Sequence, residues 1–291
     1  MPPRFSVILP TYQDWSALAG CLEALSRQTV GAEAFEIVIG NNNPAADLPA
    51  DFEPPSNARV VHQPKPGSYA ARNAAVAQAQ GALLCFTDSD CRPKSDWLEQ
   101  AENLFARALD ANRIGGHVEM TSAGPEWSVP ELYDRIFNLR QERYVPNGYA
   151  ATANLIVKRP FFERVGTFNE ELFSSGDKEW NKRATALGDR ILYGENVCVE
   201  HPARNDFATL RKKHLRVAGG RFRMKGRDRK RLWIPSPKYF FPALSSLKRI
   251  LAEPGISGRQ RFLIWRMDYR LRREELREYF RIRSGQSAKR E

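Results

Sequence analysis

Apolar runs alternate with helical spacings through the first hundred residues. FSVILP (5–10) is a short apolar strand, and WSALAGCLEALSRQ (15–28) places Trp15, Leu18, Leu22 and Leu25 three to four positions apart, along one face of a helix. FEIVIG (35–40) is a second strand, closed by the polar NNNP, and ARVVHQ (58–63) a third. Ser68 is then placed to cap an Ala-rich helix that runs to Gln80, with Gly81 as its stop. GALLCF (81–86) is a fourth strand, and Ser95 is placed to cap SDWLEQAENLFARALD. Strands apolar throughout, rather than at alternate positions, belong to a parallel sheet covered on both faces, and in such sheets ligands bind beyond the carboxyl ends of the strands.

Those ends are polar here: Pro10-Thr11-Tyr12, Asn41-Asn42-Asn43, Gln63 onward and Asp88-Ser89-Asp90. Side chains alternate along an extended chain, so Asp88 and Asp90 point to one side and repel unless a cation sits between them. A metal ion is the candidate. The second half is less regular. GGHVEM (115–120) and ANLIVK (153–158) read as strands, 130–143 as a helical segment, and RPFFERVG as a short helix closed by Gly166. A further helix starts at Asp177, where the carboxylate would cap free N–H groups, and ends at Gly188. ILYGENVCVEHPAR carries the chain to His201, and an Arg-rich helix is expected near 259–283. There is no internal repeat.

Composition narrows the picture. Of 291 residues, 42% are apolar and 27% charged, which is the make-up of an ordinary folded protein rather than a disordered one. No run reaches the roughly 18 apolar residues of a membrane span, and the start lacks a signal-peptide core, so a cytoplasmic protein is expected, peripheral to a membrane at most. The cysteines Cys21, Cys85, Cys91 and Cys198 form no C-x-x-C pair and read as reduced structural thiols. Charge is uneven. The net +11 is concentrated in 211–231, which holds eleven Lys or Arg against the single Asp228. Such a patch faces phosphates of a nucleotide, a lipid or a nucleic acid, or an anionic membrane surface. The adjoining Trp233, Tyr239, Phe240, Phe241 and Leu244 suit a lipid headgroup layer. No nucleic-acid motif accompanies the charge, so a nucleic-acid partner is not expected.

Taken in order, SVILPTYQ, FEIVIGNNN, PGSYAARNAA, FTDSDCRP, GDKEW and VEHPAR resemble the family 2 glycosyltransferases over about residues 4–220. The resemblance implies an α/β protein of the A-type glycosyltransferase fold, with a mixed sheet flanked by helices. It implies a transferase domain over 1–220, with a nucleotide-binding half to about 115 and an acceptor half to 220. Residues 221–291 then form a basic, partly helical extension.

The implied activity is inverting, metal-assisted transfer of a sugar from a nucleotide-diphosphate sugar to a glycan, lipid-linked or other hydroxyl acceptor, in cell-surface glycan assembly. By the same resemblance Pro10, Thr11, Tyr12, Asn41 and Arg72 bind the nucleotide. Asp90, with Asp88 and His201, holds magnesium or manganese. Arg216 reaches the diphosphate, Asp177 is the general base with Glu179 second, and Trp180 is a platform for the acceptor. This chain departs from its relatives in two places. Gly40-Asn41-Asn42-Asn43 stands where many carry an aspartate that reads the base, and Gly176-Asp177 where many carry Glu-Asp. Lys213-His214-Leu215-Arg216-Val217 replaces the Q-x-x-R-W of processive synthases, which points to transfer of one or a few residues. A nucleotidyltransferase, which would release pyrophosphate, and an inactive membrane- or carbohydrate-binding relative are the alternatives.

Overall fold

The structure, a computed structural model, describes residues 2–45, 48–225 and 244–286. The aromatic run 233–241 and the end of the basic stretch beyond 225 lie outside the described residues. In chain order the elements are β1 (Phe5–Thr11), α1 (Trp15–Leu25), β2 (Phe35–Asn41), β3 (Ala58–His62), α2 (Ser68–Gln78), β4 (Leu83–Thr87), β5 (Arg92–Pro93), α3 (Trp97–Arg107) and β6 (Arg113–Thr121). They continue with α4 (Val129–Phe137), α5 (Gln141–Tyr144), β7 (Asn154–Lys158), α6 (Arg159–Val165), α7 (Gly176–Ala186), β8 (Ile191–Pro202), α8 (Phe207–Lys225), α9 (Leu244–Ala252) and α10 (Gly258–Arg283).

The described strands form one eight-stranded sheet in the order β3-β2-β1-β4-β7-β6-β8-β5. The first four are parallel, as their unbroken apolar runs require, and β2 is buried along its whole length. β7 enters antiparallel to β4 and to β6, so the sheet is mixed rather than uniformly parallel. Register pairs Thr11 with Asn41 and Ile8 with Phe86, which brings the Pro-Thr-Tyr, Asn-Asn-Asn and Asp-Ser-Asp segments to one end of the sheet. Close packing behind that end needs Gly40, where a Cβ would meet the Ala71 carbonyl oxygen of α2 at 2.4 Å.

Three helix starts differ from expectation. α2 is preceded by Gly67 in a positive-φ conformation, with Ser68 already inside the helix. α3 starts after Asp96 rather than at Ser95. Asp177 lies in the first turn of α7 and accepts the N–H of its neighbour Lys178 at 2.7 Å, so it does not cap the helix from outside. Gly81 is not the stop of α2 either; a Cβ there would meet the backbone of Phe5 and Ser6 at 2.5–2.6 Å, and close approach to β1 explains the residue.

The chain divides into two compact units, and the division does not follow a boundary at 220. The first comprises Met1–Glu119, Leu139–Glu171 and Gly176–His201; the second comprises Met120–Asn138, Leu172–Ser175 and Pro202–Glu291. The second has its own apolar core, in which Leu132, Tyr133 and Ile136 of α4 pack with Leu210, Ile250, Ile256, Ile264 and Leu271. α4 is well started there, by the reciprocal Ser128 and Glu131 capping box with Pro130 in the first turn. Among the described residues no helix is long and apolar enough to cross a membrane.

Candidate active site

Apart from Arg216, the residues that follow lie within the first unit. At the end of β2 the three asparagines are structural. Asn41 is fully buried, and its amide oxygen accepts the N–H (3.0 Å) and side-chain amide (2.8 Å) of Asn43. Asn43 in turn accepts the N–H of Gln13 at 2.8 Å, which steadies a residue held at φ 52° just past β1. Asn42 donates to the carbonyls of Gln63 and Lys65 and accepts the Gly67 N–H at 2.7 Å, tying the loop after β3 to the start of α2. Asn41 therefore lies beneath the site as a brace, a correction to its expected contact with the base. Beside it in the sheet, its register partner Thr11 is 2% exposed, and the Thr11 hydroxyl has no partner among the described residues. Tyr12 is 45% exposed and Pro10 half-buried, so both are open to a ligand.

Arg72 is the hub. Its side chain is 3% exposed, it forms an ion pair with Asp88, and its guanidinium lies 5.8 Å from the Tyr69 ring centre. Its Nε has no partner among the described residues. The Tyr69 side chain reaches the half-buried Asp177 carboxylate. Removal from water pushes Asp177 above the ordinary carboxylate range, and the nearby negative charge of Asp88 adds to this. The Lys178 N–H, Arg72 and Tyr69 pull the other way. Gly176 fits this arrangement, because a Cβ there would meet the Tyr69 ring at 2.6–2.8 Å. A side chain at position 176 has no room unless the Tyr69 ring shifts.

Beside this cluster, Asp90 Oδ2 faces His201 Nε2 at 3.6 Å, beyond hydrogen-bond range. Together with Cys91 they form a group whose ligand atoms lie within 4.8 Å of one another. The Cys91 thiol is fully buried, donates toward the Ala153 carbonyl at 3.8 Å, and is pushed well up by burial and by the two aspartates, so it stays protonated. That leaves a carboxylate and an imidazole as the donors, a set that fits a divalent cation completed by water and phosphate oxygens. A third carboxylate, Asp14, accepts the Ser89 hydroxyl at 3.0 Å; burial first, then Asp90, raises its pKa. Sequence reasoning missed Asp14 and Tyr69. Tyr69 stands inside the motif segment PGSYAARN and Asp14 directly after SVILPTYQ, but only contact distances pick them out.

Two expected site residues belong to the scaffold. Trp180 is fully buried, stacks on Phe162 (5.3 Å, 21°), packs against Phe168, and donates from its indole N–H to the Gly166 carbonyl at 2.7 Å. It is a core residue of α7 and not an acceptor platform. Glu179 binds Arg183 one turn on, at 3.0 Å, and Arg183 donates to the carbonyls of Val165 and Thr167 at the exit of α6. That engagement makes Glu179 a brace rather than a second base. Arg216 is half-buried on α8, in the second unit.

The profile of "Glycosyl transferase family 2" matches residues 6–166. Over 258 residues the chain is 33% identical to glycosyltransferase AglE of Haloferax volcanii, covering 87% of this chain and 83% of that protein. It is 26% identical over 187 residues to a PGL/p-HBAD biosynthesis glycosyltransferase of Mycobacterium bovis, covering 62% and 69%. Among solved structures, the mannosyltransferase PcManGT from Pyrobaculum calidifontis, in complex with GDP-Man and Mn2+, superimposes with a TM-score of 0.60 at 17% identity, over 97% of this chain and 87% of that one. TarS of S. aureus in complex with UDP gives 0.53 at 17% identity, over 97% and 92%.

Proposed function

The chain belongs to glycosyl transferase family 2 and is a glycosyltransferase with the A-type fold, and on that premise we propose single-displacement, inverting transfer from a nucleoside-diphosphate sugar to a hydroxyl acceptor, assisted by a divalent metal. The observation that carries the reading is the linked set Asp177, Tyr69, Arg72 and Asp88, with Asp90 and His201 alongside. It combines a proton acceptor, a buried cation and an ion-holding pair at the end of the sheet where such folds bind nucleotides.

In this reading Thr11, Tyr12 and Pro10 receive the nucleoside, the unpaired Thr11 hydroxyl meeting a polar group of the ligand. Arg72 faces the phosphates, its charge held in place by Asp88. Asp90 and His201 would hold the cation, and the imidazole favours manganese over the harder magnesium. When bound, such an ion neutralises charge on the departing diphosphate. Asp177 takes the proton of the acceptor hydroxyl, whose oxygen forms the new bond to the anomeric carbon. The bond from that carbon to the β-phosphate oxygen breaks, and its electron pair leaves with the nucleoside diphosphate. Attack on the face opposite the leaving group inverts the anomeric centre. Tyr69, by hydrogen-bonding Asp177, orients the base.

Calorimetric titration with UDP, GDP and dTDP, each with and without manganese, tests the reading. The expected result is tight, metal-dependent binding of one nucleotide that is lost in Asp90→Ala. Binding that ignores metal and survives Asp90→Ala would overturn the metal assignment, and pyrophosphate among the products would overturn glycosyl transfer.

A further inference from the structure

Along α10 the acids turn inward, and all but three of the arginines, the half-buried Arg261, Arg272 and Arg281, turn outward. Asp268 is 4% exposed and holds Arg272 at 2.8 Å and the Tyr133 hydroxyl at 3.2 Å. Glu275 takes His214 at 2.5 Å and Arg221 at 3.6 Å. Glu278 pairs with Arg281 at 2.6 Å, and Glu274 with Arg211 at 2.5 Å and with Arg277. Every acid of the helix is thus buried or half-buried and ion-paired. The exposed positions carry Arg259, Arg266, Arg270, Arg273 and Arg277, then Arg283 near the end, and no acid. Phe262 (57% exposed) and Phe280 (47%) bracket the central four. At about 100° per residue, positions 259 to 280 fall within an arc of about 80° on a rod about 39 Å long. Beneath it, Ile264 and Leu271 are fully buried.

We propose that this arginine ridge of α10 docks the protein on an anionic phospholipid surface, with the helix lying in the headgroup plane. The charge is single-signed and linear, which complements a flat anionic layer. The bracketing phenylalanines supply apolar groups that enter the headgroup boundary while the guanidinium groups stay among phosphates. A single-stranded nucleic acid would instead call for aromatic rings at successive positions to stack bases, and between 266 and 277 the exposed positions are all arginine. On the neighbouring α9, Leu244 and Leu251 are 76% and 59% exposed, further apolar surface in the same unit. The inference rests on α10 and does not depend on the active-site reading.

The test is flotation of the full chain with vesicles of phosphatidylcholine alone or with added phosphatidylglycerol, at low and high salt. Binding to the anionic vesicles, weakened by salt, is expected. Arg259→Gln/Arg266→Gln/Arg273→Gln changes only exposed positions and should bind roughly 100-fold more weakly, at about fivefold per charge, with an unchanged melting temperature. Phe262→Ser/Phe280→Ser should lose the part of binding that resists salt. Full binding by the triple variant would overturn the assignment to α10. So would equal binding to neutral vesicles, or binding to an RNA or DNA oligonucleotide with none to vesicles.

Discussion

At the scale of single residues, the proposed chemistry turns on Asp177. Acting as general base it must be ionised, so the rate should fall as pH drops through a pKa above the usual 3.8, and the pH–rate profile should show its acid limb displaced upward. Asp177→Asn should lower kcat roughly 10²- to 10⁴-fold, abolish that limb, and leave nucleotide affinity measured by calorimetry near wild type. A loss of affinity equal to the loss of rate would instead mark Asp177 as a binding group. Asp88, Asp90 and His201 at strand ends and Arg72 within α2 stood out in the sequence because an ionisable side chain is rarely core filler, and the structure groups Arg72 with Asp88 and Asp90 with His201. Asn41 and Trp180 misled for the opposite reason. An amide or an indole serves a core as readily as a ligand, and only its neighbours decide; Phe162, Phe168 and the Gly166 carbonyl take Trp180 inward.

Elements carry these residues, and the one that matters most is α7. Its far side is held by Arg113 at the start of β6, a fully buried guanidinium that meets Asp189 at 2.6 Å, the Asn181 amide oxygen at 2.7 Å and the Thr185 hydroxyl at 3.2 Å. Asn181 passes the anchor on, donating to the Asp177 and Ala150 carbonyls. Removing one partner of a buried pair leaves the other charge uncompensated, so Arg113→Met should cost about 3–5 kcal/mol, read as a lowered denaturant midpoint at constant m-value. A cost under about 1 kcal/mol would mean water reaches Asp189. Strands were legible at this scale because burial on both faces writes itself as unbroken apolar runs. The starts of α2 and α3 were not, since they are tied down by groups far along the chain. Gln28 accepts the Leu98 N–H of α3 at 3.1 Å, and Asn42 accepts the Gly67 N–H before α2, so local capping by Ser95 or Ser68 was not needed.

At the scale of the whole molecule, the two units are interleaved along the chain, and a cut at 220 would remove α9 and α10 from the core they share with α4. Leu132, Tyr133 and Ile136 would then lose Ile250, Ile256, Ile264 and Leu271. A chain ending at 220 should therefore aggregate or bind a hydrophobic dye strongly, whereas a soluble, cooperatively melting fragment would show that this core is dispensable. The sequence by itself determined the α/β class, the family and the polar strand ends, because hydrophobic period and motif order are properties of the chain read in line. Tertiary structure alone decided that Tyr69 lies against Asp177, that Asn41 is bonded to Asn43, and that the acids of α10 are turned inward beneath an arginine ridge. Each of these depends on which side chain fills the neighbouring space, and spacing along the chain does not encode that.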